Sequence, residues 1–239
     1  MNQRTSLVTG ASSGIGLDLT RTLLARGDHV VALSRRANAR GALEASPRLC
    51  VLDVDVADAA AVEHAVARAV ELFGALDLVV NNAGIFLARP FTDYTPADLA
   101  ALVATNLVGF VNVTQAALRR MAPRGSGHIV NIGTSLAQQP IAGVPSALPI
   151  LIKGGIEAAT RSLAIEYAAR GVRVNTVAAG IIDTPLHAGG DKRALATLSP
   201  AQRIGRAEEI SAAVLYLDSA EFVSGEILHV DGGAHAGKW

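Results

Sequence analysis

The chain has 239 residues, half of them hydrophobic and 18% charged, with 21 basic and 21 acidic side chains and a formal net charge of zero. This suits a folded α/β chain with a sizeable core and argues against disorder. Charge neutrality favours neither a nucleic-acid partner nor an anionic membrane surface, and the lone Cys50 excludes an internal disulfide.

The first strand opens within a few residues of Met1, which leaves no room for a signal peptide, and no apolar run reaches the length of a membrane span. A soluble cytoplasmic protein is therefore expected. Residues 5–16, T-S-L-V-T-G-A-S-S-G-I-G, are the strongest functional signal in the chain. A short apolar run (Leu7, Val8) leads into Gly10, Gly14 and Gly16, and a helix is predicted from Leu17 to Arg26, stopped by Gly27. In a strand–glycine turn–helix order the glycines let the backbone approach a pyrophosphate, and the N–H groups and dipole of the helix start attract it. Gly10, Ser12, Ser13, Gly14, Ile15 and Gly16 are therefore candidate cofactor-binding residues.

The second strand, His29–Leu33, is followed by Ser34, Arg35 and Arg36. In dinucleotide folds an acid at this point binds the ribose 2′-hydroxyl, whereas an Arg accommodates a 2′-phosphate. With no acid and two guanidinium groups, the sequence favours NADP(H) over NAD(H); the plainer alternative is a solvated basic pair. A third strand over 48–54 holds Cys50 as a buried residue. The segment Asp55-Val56-Ala57-Asp58 then places Asp58 as N-cap of a helix whose apolar positions Val62, Val66, Ala69, Val70 and Phe73 recur at helical spacing up to Gly74. Leu76–Val80 reads as the fourth strand, closed by Asn81-Asn82-Ala83-Gly84 at the sheet edge where ligands of open parallel sheets lie.

Thr95-Pro96 reads as the N-cap and first position of a helix running through Asn106 and Gly109 to about Met121. Asn106 is polar on an otherwise apolar face (Leu102, Val103, Val113) and needs a partner or a function. A fifth strand over 127–132 precedes Gly133-Thr134-Ser135, and a loop with Pro140, Pro145 and Pro149 leads into a helix carrying Lys153, Glu157, Arg161 and Tyr167. A sixth strand over 172–177, a weakly periodic lid over 180–205, a helix near 207–217 and a strand near 226–230 complete the alternation. The whole chain, 1–239, thus reads as one doubly wound α/β domain with a parallel sheet.

With these residues in view, the chain resembles the short-chain dehydrogenase/reductase family over nearly its whole length. The motifs are T-G-A-S-S-G-I-G (9–16), D-V-A-D (55–58), N-N-A-G (81–84), Asn106, I-V-N-I (129–132), R-V-N-T-V (173–177) and V-D-G-G (230–233). The resemblance implies a Rossmann-like sheet with a nicotinamide cofactor at its carboxyl edge, a small-molecule substrate, and a homodimer or homotetramer. It implies that Asp55, Val56, Asn82, Ala83, Gly84, Gly180, Ile182 and Thr184 contact the cofactor. Asn106 would hold a water in a proton relay, and Lys153 would bind the nicotinamide ribose. Thr134 stands at the position of the family's Ser, with Ser135 beside it; a Thr hydroxyl can still donate to a carbonyl.

The family's Tyr, four residues before the Lys, is absent: Pro149 stands there, in S-A-L-P-I-L-I-K, and Tyr94, Tyr167 and Tyr216 belong to other segments. A phenol beside an ammonium is a good acid for the alkoxide formed in carbonyl reduction, and its loss costs on the order of 10²–10⁴ in rate. The sequence leaves the replacement open among His187, Ser146, Ser135 and Lys153 itself. It also leaves open three activities: an NADP(H)-dependent oxidoreductase with a non-standard proton donor, a nucleotide-binding sensor or scaffold that has lost redox activity, and a lyase or isomerase using the same pocket. Ala179 replaces a Pro usual in the family. The pocket, shaped by 86–96 and 181–205, is expected to be mainly aliphatic, and Trp239 is expected to pack against a neighbouring subunit, a solvent-exposed tail being the alternative.

Overall fold

The computed structural model describes residues 3–36 and 42–237, so the expectation for Trp239 lies outside the described residues. In chain order the elements are β1 (Thr5–Thr9), α1 (Gly14–Arg26), β2 (His29–Ser34), β3 (Leu49–Asp53), α2 (Ala59–Phe73), β4 (Leu78–Asn81), α3 (Pro96–Leu102), α4 (Gly109–Arg124), β5 (Gly127–Thr134), α5 (Ala147–Ala168), β6 (Val172–Ala179), α6 (Lys192–Ala196), α7 (Ala207–Ser219) and β7 (Ile227–Val230). The strands form one seven-stranded sheet in the order β3-β2-β1-β4-β5-β6-β7, every pairing parallel. This is the doubly wound arrangement, with its switch point between β1 and β4.

Alternation along the strands feeds two cores. Leu7, Val31, Val79 and Ile129 face α2, α4 and α5, whereas Val8, Val30, Val80 and Val130 face α1 and α7. A third cluster, Leu102 with Leu148, Ile152 and Ile156, fastens α5 to the end of α3. Asp58 caps α2 by accepting from Ala60 N and Ala61 N, and Thr95 and Asp98 form a capping box at α3.

Several boundaries differ from the sequence expectation. Helix α1 begins at Gly14, three residues before Leu17, so the glycine turn supplies its own first helical turn. Strand β4 starts at Leu78 rather than Leu76. Strands β5 and β6 run on to Thr134 and Ala179, because Ile132, Gly133 and Thr134 keep pairing with Val177, Ala178 and Ala179. Between α3 and α4, Val103–Val108 forms a π-helical stretch, and the continuous helix Pro96–Arg124 has 29 residues. By length and composition alone that helix is apolar enough to cross a membrane, contrary to the sequence reading; here Val113, Ala116, Ala117 and Met121 pack it into the domain core.

Candidate active site

A cleft of about 1360 Å³ opens along the carboxyl ends of the strands. At one end it is walled by the β1–α1 turn. Gly10 has φ +67°, and a Cβ there would lie 2.8 Å from Asn82 Nδ2; at Gly16 a Cβ would run into the Gly10 carbonyl. Only glycine fits this close approach of turn to helix. Thr9 Oγ1 accepts from Asn82 N (3.0 Å) and Ala83 N (2.9 Å), and Asn82 Nδ2 donates to Thr9 O (2.8 Å), clamping the glycine turn to the end of β4. The α1 start has neither a side-chain cap nor an acid in its first turn. Its N–H groups and positive dipole end therefore face the cleft without a competing anion from the helix itself, which fits a pyrophosphate. Arg35 and Arg36 stand exposed on the cleft wall just past β2, where they fit a ribose 2′-phosphate.

At the other end, β5 and α5 bring in the reactive groups. Lys153 Nζ donates to Ile132 O at 2.6 Å, and a Cβ on Gly84 would lie 3.5 Å from that nitrogen and 3.3 Å from Asn106 Oδ1. Burial pushes the Lys153 ammonium down to about 8, against the upward pull of the Glu157 charge one turn along α5. Glu157 is itself 4% exposed, with one carboxylate oxygen lacking any hydrogen-bond partner. Burial raises its pKa, while Arg161, Gln138 and Lys153 pull it back. Asn106, 2% exposed, sits in the π-helical stretch and uses both ends of its amide on Ile85: Oδ1 accepts from Ile85 N (2.8 Å) and Nδ2 donates to Ile85 O (2.9 Å). Beneath these groups lies a cavity of about 10 Å³ lined by Thr9, Asn81, Asn106, Asn131 and Lys153, room for about one water.

The structure gathers most of the sequence candidates in the one cleft: Gly10, Ser12, Ser13, Gly14, Ile15, Ser34, Arg35, Asp55, Val56, Asn82, Ala83, Gly84, Thr134, Ser135, Lys153, Gly180, Ile182, Thr184 and His187 all line it. Gly16 packs behind the turn, and Asn106 lines the small cavity instead. Ser146 lines neither; buried at the α5 N-cap position, its hydroxyl donates to Val144 O at 3.1 Å. Pro149 is buried in the first turn of α5 and lines neither cavity. His187 Nδ1 donates to Ile182 O at 2.9 Å, in a short 3-10 turn of the 181–205 segment. The segment 181–205 is stitched at its base, Asp183 N and Gly205 N donating to Gly205 O and Ile181 O, and Thr184 lies against Gly14. Sequence reasoning passed over the roles of Ile85 and Glu157. The Lys153–Glu157 spacing of four, visible in the sequence, was the available signal for the latter.

A family model described as enoyl-(acyl carrier protein) reductase matches residues 10–235. The chain belongs to the short-chain dehydrogenase/reductase family. Among its relatives, cis-4-hydroxycyclohexanecarboxylate dehydrogenase of Sinomonas cyclohexanicum is 40% identical over 97% of this chain and 96% of its own. The 3-oxoacyl-(acyl-carrier-protein) reductase FabG of Salmonella typhimurium is 36% identical, covering 96% of each. Among solved structures, a gluconate 5-dehydrogenase from Burkholderia cenocepacia in complex with NADP and tartrate superposes with TM-score 0.90 and 32% identity, over 100% of this chain and 97% of that one. ElxO with NADP bound superposes with TM-score 0.91 and 26% identity, over 98% and 100%.

Proposed function

We propose that this family member is an NADP(H)-dependent oxidoreductase acting on a small carbonyl or alcohol, with Lys153 in place of the absent phenol as proton donor. The observation that carries the reading is the placement of one desolvated ammonium, held near pKa 8, in the same cleft as an uncapped α1 start and Arg35. Relatives named as dehydrogenases and reductases, and neighbours solved with NADP, support it.

NADP(H) supplies or accepts the hydride when bound. Its pyrophosphate is assigned to the Gly10–Ile15 turn and the α1 start, its 2′-phosphate to Ser34 and Arg35, its adenine end to Asp55 and Val56, and its nicotinamide end to Asn82, Ala83, Gly84, Gly180, Ile182, Thr184 and Lys153. The remaining steps belong to the chain. Thr134 donates its hydroxyl proton to the substrate oxygen and orients it. As negative charge develops on that oxygen, Lys153 Nζ gives up a proton, and in alcohol oxidation the same nitrogen takes one back. An ammonium with a pKa near 8 is a far better acid at neutral pH than an aliphatic hydroxyl. The small cavity beside Asn106 is the route by which a water restores the proton. His187 and Ser135 line the same cleft and are the alternative donors.

The enzyme is read as cytoplasmic, and as a homo-oligomer through the exposed apolar side chains Leu107, Val108 and Val111 of the π turn and α4 and Leu151 and Ile165 of α5.

Equilibrium titration of the protein with NADPH and NADH, followed by carbonyl reduction at the nicotinamide absorbance, tests the reading. NADPH is expected to bind more tightly. Arg35→Ala is expected to weaken it about 10- to 100-fold, the worth of a charge-assisted phosphate contact, with little effect on NADH. An equal loss for both cofactors contradicts the assignment, and binding without turnover over a broad panel favours a sensor or scaffold.

A further inference from the structure

The ionisable side chains lining the cleft are unevenly distributed, and their distribution bears on substrate charge. Arg35, Arg36, Asp53 and Asp55 all lie at the β2–β3 end. At the β5–β6 end, where Lys153 stands, each further charged group on the wall is engaged by the protein. Arg203 holds both carboxylate oxygens of Glu209 (2.9 and 2.6 Å). Asp231 accepts from Gly233 N and His235 N, with the His235 ring at 2.9 Å from its Oδ2. His187 spends Nδ1 on the Ile182 carbonyl. Besides the hydroxyls of Thr134, Ser135, Thr184 and Ser199, that wall carries half-buried apolar side chains: Phe86 past β4, Leu136, Ile141 and Val144 past β5, and Leu195 and Leu198 further along.

We infer that the substrate is uncharged: an apolar aliphatic or alicyclic ketone, or the matching secondary alcohol, with no carboxylate or phosphate of its own. The inference rests on the oxidoreductase reading above and deepens it. Lys153 is the one unpaired cation on the described part of this wall, and its ammonium is committed to the reacting oxygen. A second anionic group on the substrate would leave water for a surface whose lining arginine, Arg203, is already held in a bidentate pair with Glu209. Without a partner the charge is poorly tolerated there, whereas methylene groups gain from the same surface. Binding a substrate carboxylate would require breaking the Arg203–Glu209 pair, which also holds the start of α7 through Arg206 N donating to Glu209 (2.7 Å).

The test compares 4-oxocyclohexanecarboxylate with its methyl ester, which keeps the ring and carbonyl and removes the charge. Both are assayed with NADPH and, separately, titrated calorimetrically into the protein–NADPH complex. The ester is expected to show kcat/KM about 100-fold or more above the acid, and to bind where the acid does not. Equal or better use of the acid, tighter binding of the acid, or no binding of either overturns the inference. Ester binding without turnover leaves the inference standing and overturns the redox reading instead. Arg203→Ala, expected to leave the preference for the ester in place, separates it from a substrate role for that pair. A collapse of the preference in this variant counts against the inference.

Discussion

At the scale of single residues, the site turns on how one helix face arranges charge. Lys153 and Glu157 lie one turn apart on α5, and Glu157 raises the lysine from the value that burial alone would impose. Replacing Glu157 with Gln removes that support while keeping the shape. The ammonium should then lose its proton more readily, and the alkaline limb of carbonyl reduction should move to lower pH with the cofactor affinity little changed. A limb that stays in place would show that Glu157 acts only as packing. The expectation that the phenol is absent rests on Pro149 four residues before Lys153. What takes over was not legible, because a proton donor is selected by burial and distance, and neither is written in local sequence. Ser146, two turns back from the lysine by spacing, proves to be tied to Val144 O outside the cleft.

At the scale of elements, most of the alternation could be read directly, since glycine stops and caps such as Asp58 and Thr95 act through near neighbours. The π-helical stretch could not be read. It accompanies the two bonds of Asn106 to Ile85, a partner 21 positions away, and π-bulges of this kind recur at functional sites. The extension of β5 to Thr134 was likewise hidden, because apolar patterning ends at Ile132 while parallel pairing with β6 carries on. At the opposite edge of the sheet, Asp218 of α7 accepts from Arg4 and Arg26, each at 2.7 Å, and lies 3.3 Å from His128 of β5. Burial alone would raise its pKa, but the His128 hydrogen bond and the two guanidinium charges hold the carboxyl down to about 2. A carboxylate held below its unfolded value of about 3.9 adds stability that is complete well above that pH and is lost as pH falls towards 2. Asp218→Asn, which leaves Arg4 and Arg26 without their shared acid, should cost about 3 kcal/mol in urea denaturation at neutral pH. The cost should shrink on acidification, and a cost independent of pH would contradict this account of the tie.

At the scale of the whole molecule, the sheet order brings two distant parts of the chain to one edge. The opening turn of β1–α1 presents an uncapped helix start, and α5, some 140 positions later by residue number, presents an ammonium in the same cleft. Family membership and the NADP(H) cofactor were open to sequence reading because the motifs that carry them, such as the glycine turn after β1, are local requirements. Substrate charge was not, since it depends on pairings such as Arg203–Glu209 and Asp231–His235 that only the folded lid and β7 create. The central claim is that Lys153 itself is the acid, and the pH dependence of kcat for NADPH-linked reduction of a neutral ketone tests it most directly. The account predicts a rate that falls on the alkaline side with an apparent pKa near 8. A rate that holds level to about pH 10, the range of an ordinary phenol or lysine, would contradict it.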